Sequence, residues 1–249
     1  MRFTLLTLFP EIVSSFFNAS IMAKAVERGL VSYNLVNIRD FAYDRHKTCD
    51  DLPYGGGAGM LMLPVPLANA LDSVNALDKH VVFLTPSGKP FKQEVACRLS
   101  KLSELVLLCG RYEGIDQRII DEYVDEELSV GDYVLSSGEV ASLVVVDAVY
   151  RLLDGVISSS SLESESFVDY LLEYPQYTRP SVFRGRKVPD VLLSGNHANI
   201  EAWRLRKKIE KTLKTRPELI KEACKADSWT SVSEGILEEI INEGNNQQG

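Results

Sequence analysis

Histidine and cysteine are scarce in this chain, with three and four residues in 249, and each scarcity removes a class of chemistry. His46, His80 and His197 stand far apart, and no Ser or Asp is spaced beside them as a nucleophile and its partner would be. Histidine-centred acid–base catalysis therefore has little support. Cys49, Cys97, Cys109 and Cys224 form no C-x-x-C pair, so neither a zinc site nor a disulfide framework is indicated, and a reducing cytosol fits best. No apolar run approaches the roughly 20 residues that span a bilayer. The opening MRFTLLTLFPEI is broken by Pro10 and Glu11 and followed by no small-residue cleavage site. It reads as a buried first strand rather than a signal peptide. Two nucleotide signatures are missing as well. No G-x-G-x-x-G follows a strand, and the glycine-rich loop at 54–60 lacks the Gly-Lys-Ser/Thr ending of a P-loop. A cytoplasmic protein without membrane attachment is expected.

The net charge of −8 argues against general nucleic-acid binding, but its distribution does not. Residues 179–216 carry eleven Lys/Arg against three Asp/Glu, a balance of +8 that leaves −16 on the rest. A basic stretch on an acidic body suits selective contact with one structured RNA. A solvated helix face would give the same count.

What is present is an alternation. Residues 3–9, 31–38, 80–84 and 105–109 are strand-length apolar runs, separated by amphipathic stretches such as 63–74 and 91–99. Gly88-Lys89-Pro90 reads as a turn before the second of these. The pattern predicts a parallel α/β sheet with helices on both faces over residues 1–156, with ligands at the carboxyl ends of its strands. Residues 157–178 open with a serine run and predict a flexible linker. Residues 179–249 predict a small all-helical domain, with helices over about 200–213, 217–225 and 231–242 and a disordered tail from 244.

Three loops could carry a site. The loop at 54–60 holds four glycines in five residues, which permits positive φ or close backbone approach to a ligand, although a surface turn would look alike. Residues 109–116 and 129–139 offer exposed backbone amides and carbonyls of the kind that bind an adenine edge and a ribose.

Together these segments resemble the bacterial tRNA (guanine-N1)-methyltransferases of the knotted SPOUT class. The likeness runs from Met1 to about Arg216, through DDLPYGGGAGM (50–60), GRYEGID (110–116), VGDYVLS (130–136), YTRP (177–180) and LSGNH (193–197). It implies a deep trefoil knot in the first domain, a rare exception to unknotted topology. It implies that S-adenosylmethionine is held by Leu84, Thr85, Pro86, Gly110, Tyr112, Glu113, Gly114, Val130, Gly131, Asp132, Tyr133, Val134, Leu135 and Gly138. It also implies tRNA contacts at Gly56, Gly57, Gly59, Asn196, His197, Arg204 and Lys208. The remaining implications are a homodimer with its active site between protomers, help from Mg²⁺ although no metal-ligand residues stand out, and methylation of the guanine just 3′ of the anticodon.

That chemistry needs a base for the N1 proton and a cation for charge developing on O6. Arg151 matches the family's catalytic arginine. The family's base is an aspartate just before a Ser-Phe pair; here the pair is Ser166-Phe167 and the preceding residue is Glu165, with Asp169 the competing candidate. Ser137 also replaces a glycine usual in relatives. Two other readings share these residues: a knotted enzyme acting on a ribose hydroxyl, and an RNA-binding relative that has lost catalysis.

Overall fold

The computed structural model describes residues 1–158 and 165–246, and the chain divides into two compact units, Met1–Ile157 and Ser158–Gly249. In the first unit β1 (Arg2–Thr7), β2 (Ser32–Asn37), β5 (His80–Pro90), β6 (Glu104–Cys109) and β7 (Glu126–Ser129) form a five-stranded sheet. Its order is β2-β1-β6-β5-β7, and every pairing is parallel. A short antiparallel pair, β3 (Asp50–Asp51) and β4 (Leu61–Met62), brackets the glycine-rich loop.

The central strands are apolar on both faces because both faces are covered. Phe3, Leu5, Val82, Leu84, Leu105 and Leu107 point to one side. There they meet α1 (Pro10–Phe17), α2 (Ser20–Glu27), α4 (Gln93–Leu99) and α6 (Gly138–Tyr150). Leu6, Val81, Phe83, Val106 and Leu108 point to the other side, against α3 (Pro64–Asp72) and α5 (Gln117–Tyr123). Each fully buried leucine contributes about 1.5–3 kcal/mol, so the sheet's centre is a rigid platform for what its loops carry.

One expectation fails around β5, and one strand goes unpredicted. Gly88-Lys89-Pro90 is not a turn; after a register shift between Leu84 and Lys89, Lys89 pairs with Leu128 and Pro90 with Ser129. Gly88 makes this feasible, because a Cβ there would stand 2.6 Å from the backbone of Glu127 and Leu128. Proline is tolerated at the strand's last position, where Phe91 N–H supplies the next bond, to Ser129 O at 2.7 Å. The partner strand β7 escaped the pattern because Glu126 and Glu127 interrupt its apolar run.

The second unit is not all-helical. Val182–Phe183 and Arg186–Lys187 form an antiparallel ribbon ahead of the helices Asp190–Leu193, His197–Thr215, Pro217–Ala223 and Ser231–Asn246. Leu171, Ile209, Ile220, Ala223 and Leu237 make its core. Leu171 and Leu172 belong to the stretch expected as linker, yet both are buried, and Leu172 N–H donates to Thr212 Oγ1 at 2.8 Å. The later part of that stretch is therefore packed chain, while most of its serine run lies at 159–164, outside the described residues. The last helix likewise continues to Asn246, past the expected start of a disordered tail.

Candidate active site

The middle of β5, where its register shifts after Leu84, and the carboxyl ends of β6 and β7 converge on one cavity with the start of α6, near the place where a parallel sheet presents ligand sites. Its lining comes from residues 83–86, 110–114 and 128–138, with Asp132 left out and Ala141 behind. Of the fourteen residues expected to hold the donor, only Asp132 is not in this wall. It is exposed on the turn that Tyr133 N–H closes onto Gly131 O at 2.9 Å.

Backbone geometry explains the composition of the wall. Gly138 N–H donates to Gly110 O at 2.9 Å, and a Cβ on Gly138 would come within 2.6 Å of Gly110 N. Only glycine lets α6 begin this close to the end of β6. Tyr112 lies at φ 57°, in a turn that Gly114 N–H closes onto Arg111 O at 3.1 Å. Ser129 clips the next loop, its hydroxyl donating to Gly131 O at 3.0 Å. Ser137 sits at φ −161°, extended backbone open to any residue, so serine in place of glycine adds no strain there. Burial pushes the Cys109 thiol behind the wall up to about 12, which keeps it neutral and without nucleophilic character.

The glycine-rich loop joins this site from the side. Gly55, Gly56, Gly57 and Gly59 all adopt positive φ. Glu113 N–H donates to Met60 O at 3.0 Å, and a Cβ on Gly59 would collide with the Glu113 side chain at 2.4 Å. Tyr54 at the loop's edge is fully exposed. Asp116, also in the second motif, is taken up as the cap of α5, accepting from Arg118 N–H at 3.0 Å. Hydrogen bonds from the Arg118 side chain, its largest influence, hold the Asp116 carboxyl below its ordinary value.

A family model described as tRNA (Guanine-1)-methyltransferase TrmD matches residues 1–222. The chain belongs to the tRNA (guanine-1)-methyltransferase family. A tRNA (guanine-N(1)-)-methyltransferase of Treponema denticola is 68% identical over 243 residues, covering 98% of this chain and all of the relative. The protein of the same name from Treponema pallidum is 59% identical over 96% of both chains. That of Borreliella burgdorferi is 61% identical over 88% of this chain and 92% of its own.

In this family member Arg151 caps the carboxyl end of α6, whereas Gly138 at the other end lines the cavity. Thirteen residues of helix separate them, about 20 Å at the α-helical rise. Arg151 borders a shallow groove with Phe16, Gln93, Val140, Leu143, Val144, Asp147 and Ala148. Val140, Val144, Asp147 and Arg151 fall on one helical stripe, and both valines are 45% exposed.

Glu165 and Asp169 lie in the second unit, both half-buried. Ser166 between them is anchored, its hydroxyl accepting from Glu173 N–H at 3.0 Å, and Phe167 N–H donates to Leu171 O at 2.9 Å. Asn196 caps the helix His197–Thr215, accepting from Asn199 N–H at 3.2 Å, so His197 opens that helix. Arg204 pairs with Glu201 at 2.7 Å and lies over the Tyr174 ring at 4.9 Å. Arg206 is surrounded by Glu210, Glu239 and Glu243, and Lys207 joins Glu210. Lys208 makes no ion pair among the described residues.

Glu139 and its partner Thr7 escaped the sequence reading. Glu139 is completely buried at the start of α6, accepting from Thr7 Oγ1 at 2.6 Å and from Arg111 Nε at 2.9 Å. A lone Glu after Ser-Ser-Gly gives no such signal, because its partners are 132 and 28 residues away.

Proposed function

We propose that this chain, as a cytoplasmic homodimer, moves a methyl group from S-adenosylmethionine to N1 of the guanine just 3′ of a tRNA anticodon. Family membership supports the reaction. The observation that carries the site is the cavity beside the sheet, lined by glycine-bearing loops that include Gly110, Gly114, Gly131 and Gly138. Such a wall suits an adenosine, whose edge and ribose need hydrogen bonds rather than countercharge. The deep trefoil knot belongs to the same reading, and the Gly138–Gly110 bond that draws α6 onto the end of β6 supports it.

When bound, S-adenosylmethionine supplies a methyl group on a sulfonium leaving group. The chain's task is alignment and proton removal. Glu165 takes the N1 proton as general base, and the arginine fork of Arg151 stabilises charge on O6 as the new N–C bond forms. The helix-length separation of Arg151 from the cavity on its own chain supports an active site shared by two copies. The exposed valine stripe that ends at Arg151 supplies an apolar face for the second copy. Among the described residues no three His, Cys, Asp or Glu side chains are grouped as a candidate metal centre.

The second unit is the tRNA clamp in this reading. Lys208, Lys211 and Lys214 make no ion pair among the described residues and remain available to phosphates, as do Arg184, Arg186 and Lys187 on and beside the ribbon.

Complementation tests the shared site. Arg151→Ala and Gly138→Ala are each expected to be nearly inactive alone. Co-expressed, they should regain about a quarter of wild-type activity, because half the dimers are mixed and each mixed dimer keeps one intact site. Absence of complementation between folded dimers would place Arg151 with its own chain's cavity and reject the arrangement.

A further inference from the structure

We infer that Glu139 is a positioning residue for the methyl donor: it fixes the donor loop at 110–114 through Arg111 and ties that loop to the end of β1 through Thr7. The inference rests on the reading that S-adenosylmethionine occupies the cavity.

A carboxylate with no exposure is costly to desolvate, and replacing a buried ion pair with apolar side chains is often neutral or stabilising. Stability alone therefore gives a weak account of why a charge stands here. Its bonds give a better one. Thr7 Oγ1 accepts from Phe9 N–H at 2.9 Å and donates to Glu139 Oε1 at 2.6 Å. Glu139 Oε2 accepts from Arg111 Nε at 2.9 Å, and the Arg111 guanidinium lies 4.5 Å above the Phe9 ring. Both carboxylate oxygens are thus engaged, and Arg111 is held by an ion pair and an aromatic face at once.

Arg111 is also where the cavity wall turns. Its carbonyl closes the bond from Gly114 N–H, across the left-handed Tyr112, and Glu113 N–H reaches Met60 O. Fixing the Arg111 side chain thereby fixes the path of four wall residues and the approach of the glycine-rich loop. Glu139 lies one residue beyond Gly138, whose N–H holds Gly110 O, so side chain and backbone of the α6 start grip the same loop. Thr7 and Glu139 are not part of the cavity lining, so any effect they have on the donor passes through the loop.

The test compares Glu139→Gln, Thr7→Val and the double variant for donor affinity by calorimetry, tRNA affinity and thermal midpoint. Glu139→Gln is expected to weaken donor binding by about 10- to 100-fold, the scale on which small misplacements in a positioned site are felt, with tRNA affinity unchanged. Thr7→Val should act in the same direction, and the double variant should lose no more than Glu139→Gln, because both act through one network. Variants with a lowered midpoint and wild-type donor affinity would overturn the inference. Should Glu139→Gln fail to fold, Thr7→Val alone decides: weakened donor binding supports the role, and unchanged binding rejects it. A wild-type protein that binds no S-adenosylmethionine would instead remove the reading of the cavity itself.

Discussion

At the residue scale, the site is governed by where a Cβ cannot go. Gly138 is the sharpest case, because Gly110 N and the Cys109 backbone stand 2.6 and 3.0 Å from where its Cβ would be. Gly138→Ala must push the 110–114 loop or α6 aside, and donor affinity by calorimetry should fall by about 10- to 100-fold. Ser137→Gly, one residue earlier, relieves no strained φ and should change donor affinity by less than about threefold, a few tenths of a kcal/mol. The opposite ranking would mean that steric closure at α6 does not shape the cavity. Thirteen of the fourteen expected donor residues form the wall because their motifs are contiguous, so the resemblance carried them together. Glu139 and Thr7 were invisible for the converse reason: their bonds join segments distant in sequence, and neither residue type announces such a bond.

At the scale of elements, the apolar strands were legible from their runs and β7 was not, since its stability comes from charges that periodicity does not weigh. Burial alone would raise the Glu126 carboxyl, but hydrogen bonds from Arg98 and His80 outweigh it and hold the group below its ordinary value. A depressed carboxyl stabilises the fold above its unfolded value, near 4.5, and that stability is lost as pH falls through the folded one. Glu126→Gln should therefore cost about 1 kcal/mol at neutral pH in urea unfolding, and the gap to wild type should close under acid. A gap that is constant with pH would contradict the ion pairing of β7. In the second unit the basic stretch divides in two. Arg206 is committed to three carboxylates, whereas Lys208 has none among the described residues. Lys208→Ala should lower the slope of log tRNA affinity against log salt by about one. Arg206→Ala should leave that slope nearly unchanged and lower the unit's stability instead. The count of eleven cations in residues 179–216 overstated the charge available to RNA, because the carboxylates that neutralise Arg206 come partly from the last helix.

At the scale of the whole molecule, the two-part organisation follows from the division of apolar surface. One core flanks the sheet on each face, and a separate core joins Leu171 to the helices His197–Thr215, Pro217–Ala223 and Ser231–Asn246. The sequence reading put the second unit's start too late because Leu171-Leu172 is only two apolar residues long, too short for any period to register. The cavity wall and Arg151 stand at opposite ends of α6, about 20 Å apart at the α-helical rise. The central claim is the acceptor atom, and one measurement addresses it. Wild-type protein is incubated with S-adenosylmethionine carrying a labelled methyl group and with two tRNA transcripts that differ only in the base 3′ of the anticodon. Both are then digested to nucleosides for mass spectrometry. The account predicts label in 1-methylguanosine from the guanine-bearing transcript and none from its counterpart. Label in a 2′-O-methylated nucleoside, or equal label in both transcripts, would contradict it.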